Sequence, residues 1–209
     1  MNRSARTLAL ALSAPALLLL AACGGKDDGN DGTSDTTTVA TTPPPAPAPA
    51  AAPAAGGTVT DPQIAAIVVA ANATDSAGGV MAQEKGTNQK VKDFGKQMVT
   101  DHGGVNKQAV ALVTRLNVTP EENPTSRQLT QGGEQSRQQL SGLTGAAFDR
   151  GYIDHEVEYH QSVLQAIDGT LIPNAQNAEL KALLQQVRPA VAAHLQMAQD
   201  IQKELQAQP

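Results

Sequence analysis

The sequence contains no tryptophan, only four other aromatic residues and a single cysteine among its 209 residues. With one thiol the chain cannot form an internal disulfide, so its fold must depend on packing. Four aromatic rings are too few for a surface that stacks sugars or bases. The net charge of −5 leaves no basic stripe, and no phosphate-binding loop or Ser/His/Asp arrangement is present. The sequence therefore predicts no nucleic-acid partner and identifies no catalytic residue.

The single cysteine, Cys23, follows a stretch typical of a secretory signal. Arg3 and Arg6 precede an apolar run over residues 8–20, which is too short for a stable transmembrane helix. A cysteine directly after Leu-Ala-Ala is the pattern of lipoprotein signals, in which the thiol is acylated. We predict a lipoprotein signal peptide over residues 1–22 and membrane attachment through lipidated Cys23. A chance cysteine in an ordinary signal peptide is the alternative.

Residues 23–57 are of low complexity, with Gly and Asp first, then Ser and Thr, then Pro and Ala. They contain almost no large apolar side chains, so we predict a disordered tether between the membrane and a folded domain. Gly24 and Gly25, with no aspartate directly after Cys23, favour the outer membrane over the inner one. The expected location is the periplasmic side of the cell envelope. Without the signal the chain has 13 basic and 20 acidic residues.

Residues 58–209 are predicted to form one helical domain. Strand-like alternation is absent, and apolar residues recur at steps of three and four in four segments. The first segment opens at Thr60, the second contains Val91, the third opens at Gly145 and the fourth contains Leu180. Pro189 lies inside the fourth segment, where it predicts a kink or a break.

A polar stretch from Asn117 to Leu143 separates the second and third segments, and it has room for one short helix over residues 126–143. A connection of this length can cross from one end of a helical bundle to the other. The sequence therefore predicts an all-α fold, a ferritin-like four-helix bundle with one long crossover connection between the second and third helices.

Polar residues on the apolar faces of these segments are candidates for a site. His102, His160 and His194 occupy such positions on three different segments, and Glu156 lies one turn before His160. Asp75 continues the apolar face of the first segment. Buried imidazoles and carboxylates are costly without partners, and such side chains on facing helices form the metal sites of helical bundles. These five residues are the predicted metal ligands.

Two interpretations of this cluster remain open at the level of sequence. One is a single transition-metal ion, with zinc, copper or iron all compatible with histidine and carboxylate ligands. The other is a buried hydrogen-bonded network without metal. A complete di-iron site is disfavoured because no Glu-x-x-His pair is present and Glu156 and His160 are four residues apart. Asp101 and His102 are adjacent, so only one of them can face inward, and His155 is predicted to be half-exposed.

Several of these residues resemble the motifs of a bacterial family of exported proteins, the domain of unknown function 4142. The matching runs are Phe94–His102, Gly145–Tyr152 with His155, Glu156 and His160, and Pro189 with His194. The resemblance covers Asp61 to Leu205 and implies a ferritin-like bundle in a periplasmic or outer-membrane protein of no established activity. Many members have a glutamate in the first helix, where this chain has Asp75.

We therefore expect a membrane-anchored envelope lipoprotein whose helical domain is a non-catalytic binding or envelope-stress module. The alternative function is binding or oxidation of a transition metal by the His and carboxylate cluster. A third possibility is that the domain binds an unidentified envelope protein through its exposed helical faces.

Overall fold

The structure is a computed structural model and describes residues 58–207. The predicted signal peptide, Cys23 and the tether lie outside the described residues. Within that range every regular element is helical and no strand is present, which confirms the all-α class. The elements are α1 (Asp61–Lys85), α2 (Gln89–Arg115), α3 (Pro124–Ser141), α4 (Gly145–Ala166), a π-helical turn (Ile167–Leu171), α5 (Ile172–Asn174) and α6 (Ala178–Gln206).

Capping residues fix where the helices begin. Thr60 caps α1 and Asn123 caps α3, each through a reciprocal capping box with a proline in the first turn. The side chains of Asn88 and Asn177 accept hydrogen bonds from backbone N–H groups in the first turns of α2 and α6. These local signals start four of the helices within three residues of the positions that the sequence pattern indicates.

Contacts at the two ends of the bundle define the direction of each helix. At one end, the Glu121 N–H, just before α3, donates to the Pro62 carbonyl at 3.0 Å, so α3 begins beside the start of α1. At the other end, the Lys85 ammonium donates to the Ser141 carbonyl, so α3 finishes where α1 finishes. The carboxylate of Asp149, near the start of α4, accepts from the Thr87 N–H at the same end. The chain between α2 and α4 therefore crosses the whole length of the bundle.

The crossover differs from the prediction in one respect. The helix expected over residues 126–143 is α3, Pro124–Ser141, and it packs along the bundle, so the described domain has five long helices rather than four. α1 packs along α2 and α3, α4 packs along α6, and the α1–α2 and α4–α6 pairs meet through α1–α4 and α2–α6 contacts. At Gly79 and Gly95 the backbones of α1 and α2 approach closely, since a Cβ on Gly79 would lie 2.5 Å from the Gly95 carbonyl oxygen.

The predicted break at Pro189 is absent. α6 is continuous from Ala178 to Gln206 and passes through this residue. Proline removes one N–H from the helical ladder, here the partner of the Gln185 carbonyl, and Pro189 is exposed on the outer face. Packing on both sides of Pro189 therefore keeps the helix intact.

Two apolar clusters fill the core, one toward each end of the bundle. One includes Ile64, Leu112 and Leu184, and the other includes Phe94 and Tyr152. Along α1, α2, α4 and α6 the predicted ligands fall between the residues of these clusters. The fold therefore places the candidate site at mid-height, sealed by apolar packing above and below.

Candidate metal centre

The structure brings the five predicted ligands together in the middle of the bundle. Asp75 comes from α1, His102 from α2, Glu156 and His160 from α4, and His194 from α6. Each is buried, with at most 6% of its surface exposed. The three imidazole centroids are 5.2–5.6 Å apart, close enough for their rings to face one point.

His102 is held in one tautomer by Asn72. The Asn72 Nδ2 donates to the Val68 carbonyl at 2.7 Å, so its amide oxygen faces His102 Nδ1 at 2.8 Å. An amide oxygen only accepts, so Nδ1 of His102 must carry the proton. The lone pair therefore lies on Nε2, which is 3.1 Å from Asp75 Oδ2.

His160 has the same arrangement with a different acceptor. Its Nδ1 donates to the backbone carbonyl of Glu156, one turn earlier on α4, at 2.9 Å. Nε2 consequently carries the lone pair, and it lies 3.3 Å from Asp75 Oδ2. The ring nitrogens of two histidines from different helices thus converge on one carboxylate oxygen.

His194 completes the set from α6. Its Nε2 lies 3.0 Å from Oδ2 of Asp101, a half-exposed carboxylate on α2, and the donor in this pair is the ring N–H. Nδ1 is then unprotonated, buried and without a hydrogen bond among the described residues. One ring nitrogen from each of the three histidines can be chosen so that all lie within 4.8 Å of one another.

Each imidazole therefore has its N–H on an acceptor outside the cluster and its lone pair inside. Metal-bound histidines have this pattern, since the outer hydrogen bond fixes the tautomer and orients the ring. Two ligands at about 2.1 Å from one ion are about 3.0–3.4 Å apart in octahedral or tetrahedral geometry. The two distances to Asp75 Oδ2, 3.1 and 3.3 Å, lie in that range.

The electrostatics of the cluster favour uncharged groups. Burial, followed by repulsion from His160 and His194, lowers the pKa of His102 to about 2. Burial also lowers the pKa of His194. The pKa of Asp75 is raised well above its ordinary value, chiefly by burial and then by the charge of Glu156. Neutral imidazole is the form that binds metal, and a bound cation would favour the ionised form of Asp75.

Glu156 lies beside the cluster, on the protonated side of His160. Its Oε2 is 3.3 Å from His160 Nδ1, the atom that donates to the backbone. Asp75, Glu156 and His160 each offer an atom within 4.8 Å of the others. Because Nε2 is the unprotonated nitrogen of His160, Glu156 faces this ring from the side away from the shared point. Burial raises the pKa of Glu156 to about 8, and the Tyr152 hydroxyl lowers it by less.

The prediction for His155 is wrong. It is buried, with 7% of its surface exposed, and its ring lies 5.7 Å from that of Tyr159. Burial lowers its pKa to about 4. α3 covers this part of the bundle, where Gly133 and Ser136 line the same small cavity as His155. The sequence pattern predicts a helix in this stretch but not its position over α4, and therefore predicts a half-exposed His155.

Asn72 and Asp101 were missed as parts of the site. Asn72 lies three residues before Asp75 on α1, so helical spacing alone could have placed it on the same face. Asp101 on α2 accepts a hydrogen bond from His194 on α6, across the interface between the two helices. Its position next to His102 in the sequence does not indicate that contact. Both orient imidazoles and neither faces the shared point.

Comparison with known proteins identifies the family. The family model described as "Domain of unknown function (DUF4142)" matches residues 46–201, which is most of the chain. No curated protein and no solved structure matches the chain. The motifs around His102, His160 and His194 fall inside the matched range. The chain therefore belongs to the DUF4142 family.

Proposed function

We propose that this protein binds one transition-metal ion in the centre of its helical bundle. The ligands are His102, His160 and His194 through their unprotonated nitrogens and Asp75 through its carboxylate. The observation that supports this most is the matched orientation of the three imidazoles, each with its N–H bound outward and its lone pair directed inward. Of the functions that the sequence leaves open, this geometry favours metal binding.

A metal-free network satisfies the same atoms poorly. If Asp75 is protonated, its single proton can bond to either His102 or His160 and leaves the other nitrogen unpaired. Both oxygens of Asp75, Nε2 of His102 and His160 and Nδ1 of His194 lack hydrogen-bond partners among the described residues. Each buried unpaired group costs about 1–3 kcal/mol. One cation bound by the three histidines and Asp75 would pair several lone pairs that a single proton cannot, which is why the metal interpretation is preferred.

The donor set narrows the choice of metal. Three imidazoles and one carboxylate suit zinc, copper or iron and are poor ligands for calcium or magnesium, which prefer oxygen. Four protein ligands complete a tetrahedral site, whereas five- or six-coordinate iron or copper retains an open position.

The wider setting is also part of the proposal. The antiparallel pairs α1–α2 and α4–α6, joined by the crossover α3, support a ferritin-like topology. The lipoprotein signal and Cys23 support a location on the periplasmic side of the envelope, held at the membrane by the lipid. We infer that the metal domain works at a distance from the bilayer, since the Pro- and Ala-rich tether lies between them.

Metal analysis of the protein purified without an affinity tag tests the proposal. We expect close to one zinc, copper or iron per chain by inductively coupled plasma mass spectrometry. The double variant His102→Ala/His194→Ala should lose the metal. His155→Ala is the matched control, because it removes a buried histidine that is not among the proposed ligands. Sub-stoichiometric metal that both variants retain equally would disprove the proposal.

Asn72 provides a second test that leaves every ligand in place. Asn72→Leu removes the acceptor for His102 Nδ1, and loss of such an outer partner lowers metal affinity by about 10- to 100-fold. Asn72→Asp keeps an oxygen acceptor there and should retain tight binding. Competition with a chelator measures both affinities, and circular dichroism checks that both variants fold. Equal affinities in the two variants would show that Asn72 does not position the ligand.

A further inference from the structure

A cavity of about 70 Å³ adjoins the candidate metal centre. One side of it is formed by the four proposed ligands and their partners Asn72 and Asp101. Away from the ligands its walls are almost entirely apolar, with contributions from α1, α2, α3, α4, the π-helical turn and α6. Representative wall residues are Ile67, Leu129, Ile167, Leu184 and Val191. The cavity therefore connects the ligand cluster to an apolar space within the bundle.

Two irregularities of the helices border this cavity. The π-helical turn contributes Ile167 and Leu171 to its wall, and a π turn widens a helix locally and is frequent at functional sites. On the facing helix, Val187 and Ala190 flank Pro189, which cannot complete the helical ladder. Irregular backbone thus borders the cavity on both sides.

The lining restricts what the cavity can hold. A polar molecule would lose its hydration without gaining partners on the apolar walls. A water molecule needs about 10–15 Å³ and 2–4 polar neighbours, which the ligand side of this cavity offers and the apolar side does not, and wholly apolar cavities remain dry and take up xenon or small hydrocarbons. The volume of about 70 Å³ is about half that of the roughly 150 Å³ apolar cavity known to bind benzene, so it has room for a molecule of about three heavy atoms.

We propose that this cavity admits a small apolar diatomic gas, of which dioxygen is the chemical type, to an open coordination position on the metal. The inference rests on the proposed metal site and adds the class of small molecule that the metal would bind. It also narrows the metal to iron or copper, because zinc does not bind diatomic gases. A diatomic gas is apolar enough to cross the cavity and small enough to fit it. It can also coordinate a metal ion at the ligand side of the cavity.

Ala166→Leu tests the cavity without changing a ligand. Ala166 is buried in the cavity wall, and the added carbons would occupy the space. Ala192→Leu is the matched control, because Ala192 lies on α6 outside the cavity lining. Ala190→Trp is a second cavity variant at an exposed position, so it remains available if Ala166→Leu fails to fold.

Three measurements on the full chain separate the possible failures. Metal content after loading with ferrous iron should be the same in the wild type and the three variants. Xenon-129 nuclear magnetic resonance should detect a saturable site in the wild type and Ala192→Leu that is lost in Ala166→Leu. Nitric oxide, added anaerobically as the probe, should change the paramagnetic resonance spectrum of the iron at least about 10-fold more slowly in the cavity variants, the change expected when a barrier rises by about 1.4 kcal/mol.

The outcomes distinguish the two proposals. A full complement of iron with no xenon site, or with equal rates of reaction with nitric oxide in all variants, overturns the gas inference and leaves the metal site in place. Absence of bound iron, copper and zinc overturns the metal site, and the gas inference fails with it.

Discussion

Glu156 should make the stability of the metal-free protein fall as the pH rises, by an amount that its surroundings determine. Its carboxyl is buried on α4, and burial raises its pKa from the ordinary value of 4.5 to about 8. Between these values the folded protein holds a proton that the unfolded chain has released. Stability rises with pH only where the unfolded state binds more protons, so here it must fall. The contribution is full below pH 4.5 and is lost as the pH passes through 8.

The size of the effect follows from the two pKa values. One pKa unit corresponds to about 1.4 kcal/mol. Integrated from pH 6.5 to 9, the contribution of Glu156 to the free energy of unfolding decreases by about 2 kcal/mol. His102 and His155 have lowered pKa values and act in the opposite direction, gaining stability as the pH rises toward 6.5. Because both also remain in Glu156→Gln, comparison with that variant removes their contributions and leaves that of Glu156 together with its effect on the pKa of Asp75.

The assay is urea unfolding followed by circular dichroism, with a chelator present, at several pH values from about 6.5 to 9. We expect the free energy of unfolding of the wild type, measured relative to that of Glu156→Gln, to fall by about 2 kcal/mol across this interval. Glu84→Gln, at an exposed position of α1, is the control and should follow the wild type at every pH. A difference between wild type and Glu156→Gln that does not change with pH would refute the reasoning, since the buried carboxyl would then be ionised throughout.

Three further predictions concern the scaffold and the anchor. Asp149→Ala should destabilise the protein by about 3 kcal/mol or more in urea unfolding, because its buried carboxylate accepts two backbone N–H groups of the α1–α2 turn at 2.9 Å; an unchanged midpoint would contradict this. Gly79→Ala should lower the free energy of unfolding by about 1–3 kcal/mol, because its Cβ would overlap the Gly95 carbonyl. Gly103→Ala, with no neighbour within 4 Å among the described residues, should raise it by about 1 kcal/mol. Equal thermal midpoints for the two variants would be inconsistent with the helix contact. Cys23→Ser should abolish incorporation of labelled palmitate in cells, and labelling that persists would rule out this cysteine as the anchor.

Much of the site could be predicted from periodicity. His102, His160 and His194 were recognised because each continues the apolar face of a helix, and a helix presents its residues with a fixed angular period. Glu156 and His160 share a face for the same reason. These inferences needed only the geometry of a single helix, and the structure places all five candidates at one level of the bundle.

Contacts between distant segments could not be inferred in this way. The burial of His155 depends on α3 lying over α4, and the sequence gives α3 few apolar residues with which to predict that position. The tautomer of His194 depends on Asp101 across the α2–α6 interface. The local chemistry of Pro189 predicts a kink or a break in α6, and the helix continues through this residue without a break.

The sequence by itself determined the helical class, the segments that form helices and the side chains that face inward, because each depends on interactions within a few residues. Only the tertiary structure decided which lone pairs converge, which polar atoms remain unpaired and where the cavity lies. Those properties depend on distances between helices that are far apart in the chain, fixed by packing of the apolar clusters above and below the site. A shift of about 1 Å between two helices would leave every helical periodicity unchanged and separate the proposed ligands.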